Sequence, residues 1–167
     1  MKKNDSGITL IVLVITIIVL IIIVSITVHE GKDLIIKSKI QTLETNMLTI
    51  QAKAKVYAEE IDSKIWTETD KDSARNTEFL DKGFKNPTTS IDTKYINIDT
   101  TNYVAYEVTD TALTKMGLDD IKDETYIVLY DKEDYKKMDV IYPEGVIYNK
   151  NQYYALSELQ NVLNDSN

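Results

Sequence analysis

The pattern of apolar and polar positions changes character twice along this chain. From Ile8 to Val28 there is no charged residue, Pro or Gly, and the only polar side chains are Thr9, Thr16, Ser25 and Thr27. At about 1.5 Å rise per residue a helix over this run is about 31 Å long, enough to cross a hydrocarbon core of roughly 30 Å. Its Ile, Val and Thr side chains favour strands when taken alone. In hydrocarbon that preference loses, because a helix satisfies its own backbone within one segment. The run therefore predicts a transmembrane helix, with Ile8, Leu10, Leu13, Ile17, Leu20, Val24 and Val28 as anchoring positions.

Beyond the run the periodicity becomes that of an amphipathic helix. Ile36, Ile40, Leu43, Met47, Ile50, Ala54, Tyr57, Ile61 and Ile65 follow one another at steps of four and three, forming one helical stripe. Lys37, Lys39, Glu44, Lys53, Lys55, Glu59 and Glu60 fill the other faces. No Pro interrupts, so helix is expected to about Asp62. The same spacing fits a coiled-coil seam, but the strands that follow need a surface to pack on.

The remainder alternates in shorter pieces. Residues 67–94 are polar and irregular, with a short helix over 72–82 stopped by Gly83 and a turn at Asn86-Pro87. Strands are expected at 94–99, 102–108, 125–130 and 139–142. Asp110 is placed to cap a short helix over 111–116, closed by Gly117. Pro143-Glu144-Gly145 reads as a turn. Residues 146–148 and 152–155 read as a hairpin around Asn149-Lys150-Asn151. Ser157 with Gln160 resembles a capping box that opens a closing helix to about Leu163. The expected fold is α+β: a long N-terminal helix, transmembrane half plus amphipathic half, packed on a C-terminal antiparallel sheet of four to six strands.

Charge orients this scheme. The chain carries a net charge of −8. Lys2 and Lys3 precede the apolar run, so the acidity belongs to the part after Val28. The positive-inside bias places the N-terminus in the cytoplasm and the C-terminal domain outside, as a single-pass membrane protein. Ser25 to His29 offers no small-residue cleavage site, so the segment is expected to be retained. An acidic domain is a poor partner for nucleic acid. There is no Cys, and His29 is the one His. That removes thiol catalysis, Ser-His-Asp triads and multi-His metal sites. His29 and Glu30 read as a boundary marker at the membrane edge.

Two carboxylate clusters invite a calcium reading: Asp119, Asp120, Asp123 and Glu124, and the run Asp131 to Asp134. Neither has EF-hand spacing, and Lys122 and Lys132 oppose a dense cation site, so a solvated acidic loop is the expectation. The tyrosines of the sheet region could form a binding face, but sheet packing explains them more simply. No phosphate loop or catalytic constellation stands out. Neither a cofactor nor an enzymatic activity is expected.

The junction Lys2-Lys-Asn-Asp-Ser-Gly7 followed by Ile8-Thr-Leu-Ile-Val-Leu-Val14 resembles the signal of type IV pilins and type II secretion pseudopilins, in particular Gram-positive prepilin-like proteins beginning Gly-Ile-Thr-Leu-Ile. The resemblance implies cleavage after Gly7 by a prepilin peptidase and N-methylation of Ile8 as the mature N-terminus. It divides the chain into a leader (1–7), a transmembrane and filament-core helix (8–28), an amphipathic helix (29–66), a variable connecting loop (67–94) and a sheet domain with a short closing helix (95–167). The family usually has Glu at the fifth mature position, and here that position is Val12. This departure resembles specialised minor subunits. The function implied is a structural subunit, stored in the membrane and assembled into a type IV pilus or type II secretion-like pseudopilus. Its partners would be the prepilin peptidase, other pilin-like subunits through the N-terminal helix, an assembly-platform membrane protein and the lipid bilayer. The alternative is a membrane-anchored extracellular binding domain that never polymerises.

Overall fold

The computed structural model describes the backbone of residues 6–96, 101–134 and 137–164, and within the long helix the side chains of 16–18 and 35–64. That helix, α1, is Ser6–Lys64. The chain divides into two compact units, residues 1–41 and 42–167. In the first, Ile17, Ile18, Ile35 and Ile36 are exposed and Ile40 is buried.

The expectation of a transmembrane half is corrected here. Among the described residues no helix is long and apolar enough to cross a membrane. From Ile35 onward α1 mixes Lys, Glu, Ser and Thr with its apolar stripe. The single-pass localisation, with a cytoplasmic N-terminus and an external domain, falls with it. Most of the run 8–28 that prompted this reading lies outside the described side chains, as do the anchoring positions Ile8, Leu10, Leu13, Leu20, Val24 and Val28. Of that set only Ile17 is described. The fold is α+β without a membrane-spanning half among the described residues.

In the second unit α1 buries one stripe completely: Met47, Ile50, Ala54, Ala58 and Ile61, followed by Ile65 just past its end. The steps of three and four keep these side chains on one face. That face meets a five-stranded antiparallel sheet in the order β1-β2-β3-β4-β5, a simple meander. The strands are β1 (Phe84–Thr88), β2 (Tyr103–Val108), β3 (Tyr126–Asp131), β4 (Met138–Tyr148) and β5 (Asn151–Ala155). Among the described residues three short α-helices complete the unit, α2 (Lys71–Asp81), α3 (Asp110–Met116) and α4 (Leu156–Asn164), with a 3₁₀ turn at Asp119–Ile121.

Register sorts the strand residues onto two faces. Val104, Tyr106 and Val108 lie opposite Tyr130, Val128 and Tyr126, and Val128 and Tyr130 lie opposite Val140 and Met138. This inner face packs on α1 and α2. Phe79 of α2 stacks on Tyr106 at 4.6 Å between ring centres and meets Phe84 and Tyr130 edge-on. The outer face carries a second cluster of Ala105, Leu129, Ile141 and Ala155, covered by Ile91, Tyr95 and Ile96. Two apolar faces explain why β3 reads as a nearly unbroken hydrophobic run.

Several local expectations change. Asn86-Pro87 is not a turn but part of β1, an edge strand. Asn86 has φ +50 at an irregularity between Lys85 and Thr88. An edge bulge is where a residue without an N–H costs no ladder bond. Pro143-Glu144-Gly145 likewise does not reverse the chain. It bulges within one continuous strand, β4, whose two halves both pair with β5. Lys94 and Tyr95 form a turn instead of a strand, because Asp92 accepts the Lys94 N–H at 3.0 Å in an Asx-type turn. Residues 97–99 lie outside those described. Thr109, not Asp110, caps α3. The hairpin between β4 and β5 is present, with Asn149 and Lys150 both at positive φ as a two-residue turn requires.

Gly83 joins α2 to β1 at φ +100, and a Cβ there would stand 2.8 Å from the Ala112 backbone nitrogen. Its carbonyl also accepts the Thr109 hydroxyl that caps α3. Gly83→Ala is expected to lose roughly 2–3 kcal/mol of stability through left-handed strain and this backbone clash. Urea denaturation of the two chains, compared at the same slope, measures it.

Candidate functional site

The first candidate is the solvent side of α1. Opposite the buried stripe, Thr42, Thr45, Thr49, Ala52 and Val56 recur at steps of three and four, with Leu48 beside them. Leu48 is 36% and Val56 58% exposed. None of the exposed positions from Thr42 to Ala52 is charged. A helix that only meets water ordinarily fills this side with Lys and Glu. Here the small and β-branched side chains leave a shallow surface that a second helix can approach closely.

The buried polar groups explain how this helix is held. Asp62, near the C-terminal end of α1, accepts from Arg75 Nε and Nη2 at 3.3 and 3.2 Å and from the Tyr130 hydroxyl at 3.2 Å. Arg75 also reaches Asp72 at 2.9 Å and lies 5.3 Å from the Tyr130 ring centre. Gln51 donates to the Met138 carbonyl at 2.6 Å, and Tyr57 to that of Lys115 at 3.3 Å. The Tyr106 hydroxyl donates to Asn76 at 2.5 Å. Burial pushes the hydroxyls of Tyr106, Tyr126 and Tyr130 well above the ordinary tyrosine value, and that of Tyr142, which also donates to Glu144, up to about 12. These are packed, protonated phenols, and none is poised to give up its proton near neutral pH.

The calcium candidates do not converge. Asp119 Oδ1 is 2.5 Å from Lys122 and accepts the Thr114 hydroxyl, while Glu124 accepts the hydroxyl of Tyr126. Among the described residues no three His, Cys, Asp or Glu side chains are grouped so as to hold a metal ion. Asp120 and Asp123 do not join such a group. Asp131 caps its own loop by accepting the N–H groups of Glu133 and Asp134. The side chains of Ile8 and Val12, and the surroundings of Gly7, lie outside those described.

The sequence reading missed a cavity of about 250 Å³ on the outer sheet face. Ala105 and Ile127 form its floor, Ile91 and Tyr95 one wall, and Asn86, Asp92, Glu107 and Thr125 part of its rim. The two strands that carry its floor were legible in the sequence. The 88–95 loop that walls the cavity was not.

No protein-family model, curated protein or solved structure matches this chain. The resemblance of the N-terminal junction to prepilins of type IV pili and type II secretion, with the cleavage, N-methylation and cell-surface pilus it implies, thus has no family match behind it. The expected transmembrane helix is likewise not found among the described residues.

Asp139, also missed, is a buried structural carboxylate. It accepts from Ser157 Oγ at 2.5 Å, Val140 N at 2.8 Å and Ser157 N at 3.3 Å, tying β4 to α4. Ser157 is therefore engaged with Asp139, and Glu158 reaches back to the Tyr154 and Ala155 N–H groups. The expected Ser157–Gln160 capping box is replaced by these contacts. Burial raises the Asp139 pKa, against the opposing pull of its hydrogen bonds. The folded state then holds the proton more tightly than the unfolded one, so this group's contribution is greatest on the acid side. It is lost as pH rises from the ordinary carboxylate value through the raised one. Asp139→Asn removes the charge while keeping an acceptor for the two N–H groups. Relative to the native chain, the variant is expected to gain stability between about pH 3 and about pH 7. Urea midpoints at the two pH values check this.

Proposed function

We propose that the chain is a prepilin-like structural subunit. Trimmed after Gly7, it assembles with other such subunits through its long helix into a filament of the type IV pilus or type II secretion pseudopilus kind. As Val12 stands where the family usually has Glu, the role is that of a minor or specialised subunit. Storage in a membrane is not part of this reading.

The observation that carries it is the uncharged outer side of α1. A chain with 28% charged residues leaves this helix face bare of charge from Thr42 to Ala52. The inner stripe already accounts for packing on the sheet, and the outer one lies on the solvent side where another helix could reach it. Van der Waals fit between small and β-branched side chains would drive that contact. Register would then be set by shape and not by the carboxylate-to-ammonium pair that Val12 cannot make.

Two measurements test the proposal. Leu48→Glu combined with Val56→Glu places charge on the outer side alone. It is expected to shift the urea stability by no more than about 0.5 kcal/mol, as exposed sites do, and to abolish filaments seen by negative-stain microscopy. Filaments unchanged from the native chain overturn the role of this face. Separately, co-production with a prepilin peptidase is expected to give a mature mass beginning at Ile8, and Gly7→Arg to remain uncut. An intact leader on the native chain, or normal trimming of Gly7→Arg, counts against the processing.

A further inference from the structure

The outer-face cavity stands apart from the helix surface just discussed, and its chemistry is specific. Its floor, Ala105 and Ile127, is hydrocarbon, and Tyr95 lines it beside Ile91. Two carboxylates stand at the rim. Glu107 has one oxygen fixed by Asn86 Nδ2 at 2.8 Å, and its other oxygen takes none of the described hydrogen bonds. Asp92 holds the turn through the Lys94 N–H at 3.0 Å.

A primary ammonium is already stationed beside this rim. Lys94 Nζ lies 4.5 Å from the Tyr95 ring centre and 3.5 Å from Asp92 Oδ2. It shows the chemistry that the place accepts: a cation over an aromatic face, next to a carboxylate. The Lys94 side chain is 54% exposed, so it can swing into water when another cation arrives.

We infer that the cavity binds a small primary amine with an apolar body, the hydrocarbon on Ala105 and Ile127 and the ammonium at Glu107. Charge decides against the alternatives. An anionic ligand would meet the Glu107 carboxylate, with Asp92 beside it already paired to Lys94. A ligand without a donor would strip water from the second Glu107 oxygen and give nothing back. An ammonium supplies a charge-assisted bond there. The cavity lies just below the usual range for drug-sized ligands, about 300–1,000 Å³, which suits a body of one ring or a short alkyl chain. For so few atoms the affinity is expected near the millimolar range.

The test is a titration of the ¹⁵N-labelled full-length chain with 2-phenylethylamine, 2-phenylethanol and phenylacetate, which share one body and differ in the head group. The expected result is saturable shifts centred on the amides of Ile91, Tyr95, Ala105 and Ile127. The amine should bind about tenfold more tightly than the alcohol, and phenylacetate should not saturate. Glu107→Gln keeps an acceptor for Asn86, so the strand pairing stays, and it should bring amine and alcohol to the same affinity. Shifts that never saturate, or that centre elsewhere, overturn the site. Equal binding of amine and alcohol to the native chain overturns the ammonium's role. Discrimination that survives Glu107→Gln overturns the assignment to that carboxylate. The helix variants that test assembly leave Glu107 untouched, so the two readings fail separately.

Discussion

The contact between the inner stripe of α1 and the aromatic face of the sheet is what the second unit depends on. Ala54 and Ala58 sit in the middle of that stripe. On the sheet side the rings of Tyr106, Tyr126 and Tyr130 are fully buried. A buried phenol still needs a partner for its hydroxyl. The partners lie around the helix: Asp62 for Tyr130, Asn76 of α2 for Tyr106, and Asn46 with Glu124 for Tyr126. Arg75, itself buried, joins Asp62 and Asp72, so α1 and α2 are locked by the same polar cluster that satisfies the tyrosines. Removing one member would leave the others desolvated, which costs more than the bond itself.

Because the inner face is filled by helices, the outer face must find its own cover. The 91–96 segment supplies it with Ile91, Tyr95 and Ile96 over Ala105, Leu129 and Ile141. A loop is a looser lid than a helix, and the cavity lies beside it. The edges are managed differently. β1 is short and bulged and contains Pro87, which blunts it against pairing with another chain. β5 is tied to α4 through the Glu158 carboxylate.

The functional reading rests on one helix having two unlike uncharged sides. The inner side is explained by the fold. The outer side, from Thr42 to Ala52, has no charge at its exposed positions, and the proposed assembly would use it. The resemblance of the Gly7–Ile8 junction to a prepilin signal is a separate strand of the proposal, one of processing and not of packing. Neither argument needs a membrane, and among the described residues no helix qualifies as a span.

Much of the framework was legible because it follows local periodicity. The inner stripe from Met47 to Ile61, the strands around Tyr103–Val108 and Tyr126–Asp131, the Asn149-Lys150 hairpin and the Gly117 cap are each set by residues close in sequence. Tertiary pairing decided the rest. Pro143 and Pro87 look like chain reversals until a partner strand makes them bulges. Asp139 looks like an exposed strand residue until Ser157, eighteen positions on, folds over it. The Ser157–Gln160 pattern looks like a cap until that aspartate takes the serine. The cavity at Glu107 needs Asp92 and Tyr95 brought back over strands that follow them in the chain. Such features depend on which distant residues meet, and periodicity carries no information about that. The sequence determined which faces of the helix and strands are apolar. Only the tertiary structure decided what covers each face, because burial is settled by partners that the chain brings in from far away.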